Sequence, residues 1–378
     1  MNTVDILYQP YFDYEKKEVR IGGVQTYISA LIHVIRELGW DVRVFQQDRV
    51  DFKHSVCDGI SITGICIPEK CRKKNDIFVN KVLSTRIERE TYITLYASEI
   101  IIPSFSVPNS MVIQHGIYWD VPSDKKLPLW IQMVKRYILD FGVIKKIQRV
   151  DHVVCVDYNF VNWYRAHIAS ARVKLSAVPN FTALCPQTRK TNDKISIIFA
   201  RRFFEFRGTR IFTEAIEKLL TEYNNIQVLV AGTGPDESYM KKRLARWNSV
   251  VFTQYTSSDS LTIHSTQHIA VVPSIGSEGT SLSLLEAMAA ECAVVCTNVG
   301  GMTNIILDRY NGRIINPNVD DLYEAIKELI EDANLRETIA QKGRETVETA
   351  FSLARWEDRW RKILIGELQQ VKQQDNKF

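Results

Sequence analysis

Two glutamates, Glu278 and Glu286, stand eight positions apart in the stretch "SIGSEGTSLSLLEAMAA" (274–290). The first lies in a loop rich in glycine and serine, the second inside an apolar run. The preceding "IAVVPS" (269–274) reads as a strand that ends at a proline, and a helix is expected from about Ser281. In open α/β sheets ligands bind beyond the carboxyl ends of the strands. A helix N-terminus placed there offers free backbone N–H groups and a positive dipole end, which suits phosphate. Gly279 permits close backbone approach, and Thr280 and Ser281 can cap the helix or donate to an anion. At about 100° per residue, Leu282, Leu285, Met288 and Ala289 form one stripe with Glu286 at its edge. A carboxylate there is partly desolvated and needs a partner. Ribose hydroxyls would satisfy it, and Glu278 would lie near the hydroxyls of a sugar. The plain alternative is a surface glutamate and a solvated loop residue.

A second constellation favours the chemical reading. "FARRFFEFRG" (199–208) follows a strand and sets Arg202 and Arg207 five apart, with Gly208 next. Two guanidiniums at the carboxyl end of a strand can hold a pyrophosphate in bidentate fashion, where a basic surface loop would be the alternative. "VAGTGPDESY" (230–239) adds a glycine turn, Gly232 and Gly234, at another strand end. A structural turn explains that motif equally well.

The elements that must position these residues alternate along the chain. Short apolar runs at 4–8, 41–45, 111–115 and 152–156, and again at 195–200, 226–232, 250–254, 269–274, 293–297 and 313–317, read as strands covered on both faces. Helical patterns lie between them. Val24, Ile28, Leu31, Ile35 and Leu38 share one stripe, with Gly39 as a C-terminal cap. The polar, proline-bearing stretch 179–194 breaks the rhythm. The expected architecture is therefore α/β, with two doubly wound Rossmann-like domains, 1–185 and 190–355. A last helix, 356–372, carries Trp356, Trp360, Ile363 and Leu364 and is expected to pack back on the first.

The totals agree with two cores in one chain of 378 residues, 45% hydrophobic and net +4. Residues 1–180 hold 24 Lys+Arg against 19 Asp+Glu, whereas the remainder hold 24 against 25. The basic half suggests an anionic partner, or simply a solvated surface. The seven scattered cysteines form no CxxC and read as reduced thiols without a zinc site. No signal peptide and no membrane span are expected.

With these motifs in place the chain resembles the family 4 glycosyltransferases, retaining enzymes of the GT-B fold that use nucleotide-diphospho-sugars. "SEGTSLSLLEAMAAECAVVCTNVGGMTNII" resembles the family's E-x7-E block, whose glutamates fall on Glu278 and Glu286. "RRFFEFRG" is similar to its G-R…K-G element, with Arg202 at the arginine, Arg207 at the lysine and Arg201 where a glycine usually stands. The resemblance implies that Gly22 and Gly23 approach the donor phosphates and that His115, in "VIQHG", lies near the donor sugar. Asp157 and Phe181 replace the usual serine and glycine of two later blocks. Two Rossmann-like domains facing a central cleft are what the resemblance implies.

The implied reaction moves a sugar from a UDP- or GDP-sugar to a hydroxyl, with retention. Arg202, Arg207 and the helix N-terminus would stabilise charge on the leaving diphosphate without a metal or cofactor. No DxD stands at a strand end. Rivals are a nucleotide-sugar epimerase of the same fold and a non-catalytic nucleotide-sugar-binding module; the absent GxGxxG disfavours a dehydrogenase. Residues 125–149 mix Lys125, Lys126, Lys135, Arg136, Lys145, Lys146 and Arg149 with Leu129, Trp130, Met133, Tyr137, Ile138, Phe141 and Ile144. This is either a core helix with surface lysines or a basic amphipathic helix for an anionic membrane. Many bacterial relatives build surface polysaccharides on lipid-linked acceptors. The expectation is thus a cytoplasmic enzyme, peripheral at the inner face of the plasma membrane, extending a lipid-linked glycan in O-antigen or capsule synthesis; no nucleic-acid partner is expected.

Overall fold

A computed structural model describes residues 2–375, apart from 10, 16, 20–21, 57–59, 88–89, 121–126, 169–172, 185, 187–193, 257–258 and 277. The chain divides into two compact units. The first comprises Met1–His115, Pro128–Val178 and Trp356–Phe378; the second comprises Gly116–Leu127 and Pro179–Arg355.

The first unit contains β1 (Asn2–Tyr8), β2 (Phe12–Asp13), β3 (Glu18–Val19), β4 (Asp41–Asp48), β5 (Phe52–Val56), β6 (Ile60–Cys66), β7 (Thr91–Tyr96), β8 (Ser110–Gln114), β9 (His152–Cys155) and β10 (Lys174–Ala177). Eight of them form one sheet in the order β10-β9-β8-β7-β1-β4-β6-β5. All neighbours run parallel except β5, an antiparallel edge strand on β6. The interior strands bury both faces, as the adjacent pairs Ile6–Leu7 and Val112–Ile113 show, which explains their near-continuous apolar runs. The helix Gly23–Glu37 lays Tyr27, Ile28, Leu31 and Ile35 into this core. It ends as the sequence suggests, with Gly39 at φ +71.

The last helix, Leu353–Asp375, groups with the first unit from Trp356 onward. Trp356 and Trp360 are fully buried. The indole Nε1 of Trp360 donates to Tyr27 Oη at 2.8 Å, and the Trp356 ring meets Tyr27 edge-on with centroids 4.9 Å apart. Further along, Glu367 Oε1 takes the Lys174 ammonium at 2.7 Å and His152 Nδ1 at 2.9 Å. Apolar anchors and a polar clasp together hold this helix to the sheet edge.

The second unit contains β11 (Ile195–Ala200), β12 (Ile226–Ala231), β13 (Val250–Thr253), β14 (Ile269–Val272), β15 (Ala293–Thr297) and β16 (Arg313–Ile315). They form a parallel sheet in the order β13-β12-β11-β14-β15-β16. The order reverses between β11 and β14, so a switch point opens beyond their carboxyl ends. The break between units falls before Pro179 rather than inside the polar stretch 179–194. Asn180 Nδ2 donates to the Thr280 carbonyl at 2.6 Å, and Thr182 bridges to Ser352. These bonds tie the start of that stretch to the second unit; most of the remainder lies outside the described residues.

Candidate donor site in the second unit

The two strands that flank the switch point deliver its first residues. Arg201 directly follows β11, and Ser274 lies two residues beyond the end of β14. Gly208 makes their approach possible. It adopts φ +80, and a Cβ there would lie 1.8 Å from the Pro273 carbonyl oxygen. Only glycine fits that conformation and that space.

Glu278 lies at the centre of the cluster. Arg201, Arg207 and Ser274 all donate to its Oε1, Ser274 Oγ at 2.7 Å and the two guanidiniums in close ion pairs. Arg201 also donates to Ser274 Oγ, and Thr297, at the end of β15, donates to the Ser274 carbonyl. The Arg201 and Glu278 side chains are 5% and 6% exposed, whereas Arg207 is 18% exposed. Burial alone would raise the Glu278 carboxyl. Arg201 and then Arg207 outweigh it and hold the group at about 2. Two guanidiniums against one carboxylate leave this pocket one net positive charge.

Glu286 has the opposite environment. It projects from the helix Leu282–Ala289, whose Leu284, Leu285, Ala287, Met288 and Ala289 are buried. Its one described hydrogen-bond partner is Ser260, whose Oγ donates to Oε2 at 2.6 Å. Burial pushes its carboxyl up to about 7, against the pull of that bond. Tyr255 lies within electrostatic reach of both Glu286 and Arg201. The two glutamates of one motif therefore occupy contrasting states, one ionised and doubly paired, one close to half-protonated at neutral pH.

The other expected residues fall around this core. Thr280 and Ser281 are buried and lead into the helix; Ser281 Oγ lies 3.3 Å from Ser283 Oγ. Gly279 and Leu282 are half-buried. Gly232 and Gly234 support the arginine loop from behind. At φ +142, a Cβ on Gly232 would lie 2.0 Å from the Arg201 carbonyl, and one on Gly234 2.5 Å from that of Phe203. The structure thus gives this turn a packing task, holding the backbone of residues 201–203. Arg202 is not drawn into the Glu278 cluster. It is exposed, with its guanidinium 5.8 Å from the Phe204 ring centroid. Successive residues of an extended backbone point to opposite sides, so Arg201 and Arg202 cannot both face Glu278.

In the first unit, Gly22 caps the helix Gly23–Glu37 in extended backbone. His115 is half-buried. Its Nε2 lies 2.9 Å from the Ala97 carbonyl, which can only accept, so the proton is on Nε2 and Nδ1 is left as an acceptor. Burial pushes its pKa down to about 4, so the ring is neutral at pH 7. Arg201, Ser274, Ser260 and Tyr255 escaped the sequence reading. Their only signal was position near a strand end or, for Ser260, at the start of a neighbouring helix. Asp157 is buried and caps the helix Tyr158–His167 by accepting from Phe160 N at 2.8 Å. Among the described residues no three His, Cys, Asp or Glu come together as a metal site, and no disulfide joins the five described cysteines.

The basic helix spans Leu129–Ile147; Lys125 and Lys126 lie outside the described residues. It is a core helix only at its end, where Val143, Ile144 and Ile147 are buried. Trp130 (67%), Met133, Tyr137 (68%), Ile138 and Phe141 are exposed. No helix among the described residues is long and apolar enough to cross a membrane.

Two parallel α/β units of this kind, the second with its polar cluster at the switch point, define the GT-B fold. The sucrose-phosphate synthase of Thermosynechococcus elongatus has the same fold, with TM-score 0.74 and 16% identity over 98% of this chain and 99% of that one. Residues 181–346 match the family described as "Glycosyl transferases group 1". The stretch that matches lies within the second unit. An uncharacterized glycosyltransferase of Methanocaldococcus jannaschii is 29% identical over 43% of this chain. The capsular polysaccharide biosynthesis glycosyltransferase CapM of Staphylococcus aureus is 28% identical over 43% of it. The chain spans 42% of the first relative's length and 43% of the second's.

Proposed function

We propose that the protein is a retaining glycosyltransferase that moves a sugar from a nucleotide-diphospho-sugar to a hydroxyl of a glycan acceptor. The observation that carries this reading is the cluster of Arg201, Arg207 and Glu278 at the sheet's switch point, beside the N-terminus of the helix that bears Glu286. A net positive pocket at a helix N-terminus suits a diphosphate. Glu286, half-buried with Ser260 beside it, suits ribose hydroxyls, which replace the water it has lost. Glu278 would orient the transferred sugar. Arg202 and Arg207 would stabilise the charge that grows on the leaving diphosphate, so the chemistry is proposed to need no metal. Gly22, Gly23 and His115 receive donor-side roles from the family resemblance; a neutral ring with a free Nδ1 acceptor suits contact with a sugar hydroxyl.

The acceptor is proposed to be a lipid-linked oligosaccharide in surface-polysaccharide synthesis, with the enzyme peripheral at the cytoplasmic face of the membrane. Two observations support this: the likeness to a capsule-synthesis relative, and the exposed Trp130, Met133, Tyr137 and Phe141 beside Lys135, Lys145 and Lys146. Apolar and aromatic groups flanked by cations suit an anionic bilayer. Vesicles with anionic lipid should pull the protein down at low salt and release it at high salt. Failure to co-sediment at low salt, with full activity on a soluble acceptor, would leave a plain soluble transferase. The donor is tested by titrating UDP-, GDP- and ADP-sugars; binding of one class is expected, and binding of none would remove the transferase reading.

A further inference from the structure

The side chain of Arg201 is the most deeply buried of the three arginines in 201–207. We propose that Arg201 is a positioning residue for the donor site: it keeps Glu278 neutralised, so that Arg207 can leave the carboxylate and turn to the diphosphate. The inference rests on the transferase reading above.

The geometry supports this division of labour. Arg201 bonds both Glu278 and Ser274, and Ser274 in turn bonds Glu278, so these three close a ring. The ring is sealed from solvent. Arg207 contacts the same Oε1 from outside it and keeps 18% of its side chain exposed. A buried carboxylate stripped of its only cation is strongly destabilised. With Arg207 as sole partner, Glu278 would therefore hold it against a competing phosphate. With Arg201 in place, Glu278 keeps one guanidinium and one hydroxyl after Arg207 departs. Among the described residues, Arg201 and Arg207 are the cations that act on Glu278. Tyr255 is pushed up to about 12 and Cys296 further still, mainly by burial, so both are neutral at pH 7.

The test is calorimetric binding of UDP, GDP and ADP to the full chain. Wild type should bind one of them. Arg201→Gly should weaken that binding roughly tenfold or more, because Arg207 is then trapped on Glu278. The double variant Arg201→Gly/Glu278→Gln should recover the affinity of Glu278→Gln alone, since the trap is gone. A merely structural arginine would give no such recovery. If Arg201→Gly does not fold, Arg201→Gln carries the same expectation and the same rescue. Wild-type affinity in the Arg201 variant, or no recovery in the double variant, overturns the proposal while leaving the transferase reading intact. Absence of UDP, GDP and ADP binding by wild type overturns both.

Discussion

Arg207 and Arg201 donate to a single carboxylate oxygen, Oε1 of Glu278. The pair comes from one loop after β11, and the carboxylate from the loop after β14. The bonds therefore span the switch point and fix the distance between its two walls.

That arrangement makes Glu278 sensitive to acid. Its carboxyl is held at about 2, below the ordinary 4.5. A depressed carboxyl contributes stability that is fully present above about 4.5 and lost as pH falls toward 2. Wild type should thus lose melting temperature over that window more steeply than Glu278→Gln. Parallel curves for the two proteins would contradict the ion-paired assignment.

Glu286 reverses the sign. Its carboxyl is raised to about 7 from 4.5, so the folded form holds an extra proton between those values. Stability then falls as pH rises through that window. Ligand-free Glu286→Gln should melt higher than wild type at pH 8 and close to it at pH 4.5. The same variant should bind nucleotide more weakly, as a carboxylate acceptor for ribose is lost. Equal nucleotide affinity in both proteins would remove the ribose role.

Replacing Arg202 or Arg207 with alanine should lower turnover by about 10²-fold or more, as for other lost donors to transition-state charge. Steady-state kinetics at saturating donor reads this directly. Near-wild-type turnover in Arg202→Ala, whose side chain is exposed here, would shift the diphosphate role onto Arg207 and its neighbours.

Trp360→Ala should destabilise the first unit by about 3–5 kcal/mol, the usual range for a buried tryptophan. It also strips Tyr27 of a described hydrogen bond. Thermal melting followed by near-UV circular dichroism measures it. An unchanged melting curve would contradict the packing role of the last helix.

Much of this was legible in the sequence because buried parallel strands leave unbroken apolar runs. Each of the ten expected runs coincides with a strand, from β1 to β16. Those not foreseen had weaker signals: β5 is an antiparallel edge strand, β10 is only half-buried or exposed along its length, and β2 and β3 are two residues each. β6 and β7 are interior, yet serine, threonine and glycine interrupt the apolar residues of "ISITGIC" and threonines those of "TYITLY", which hides both. At the site, the glutamates stood out through helical spacing, with Glu286 at the rim of a buried stripe. Arg201 did not, because adjacent arginines look alike in sequence and only the strand's alternation decides which one faces inward. Nor did Ser260, which comes from a neighbouring helix 26 residues earlier.

The central claim is that a glycosidic bond is formed with retention. The most direct measurement incubates the protein with the nucleotide-sugar found by titration and a lipid-linked oligosaccharide fraction in EDTA, and reads the product's anomeric proton by NMR. A new glycosidic linkage with the donor's anomeric configuration, released nucleoside diphosphate and no metal requirement is the expected result. An inverted linkage, free or epimerised sugar formed without any acceptor product, or activity only after a divalent metal is restored would contradict it.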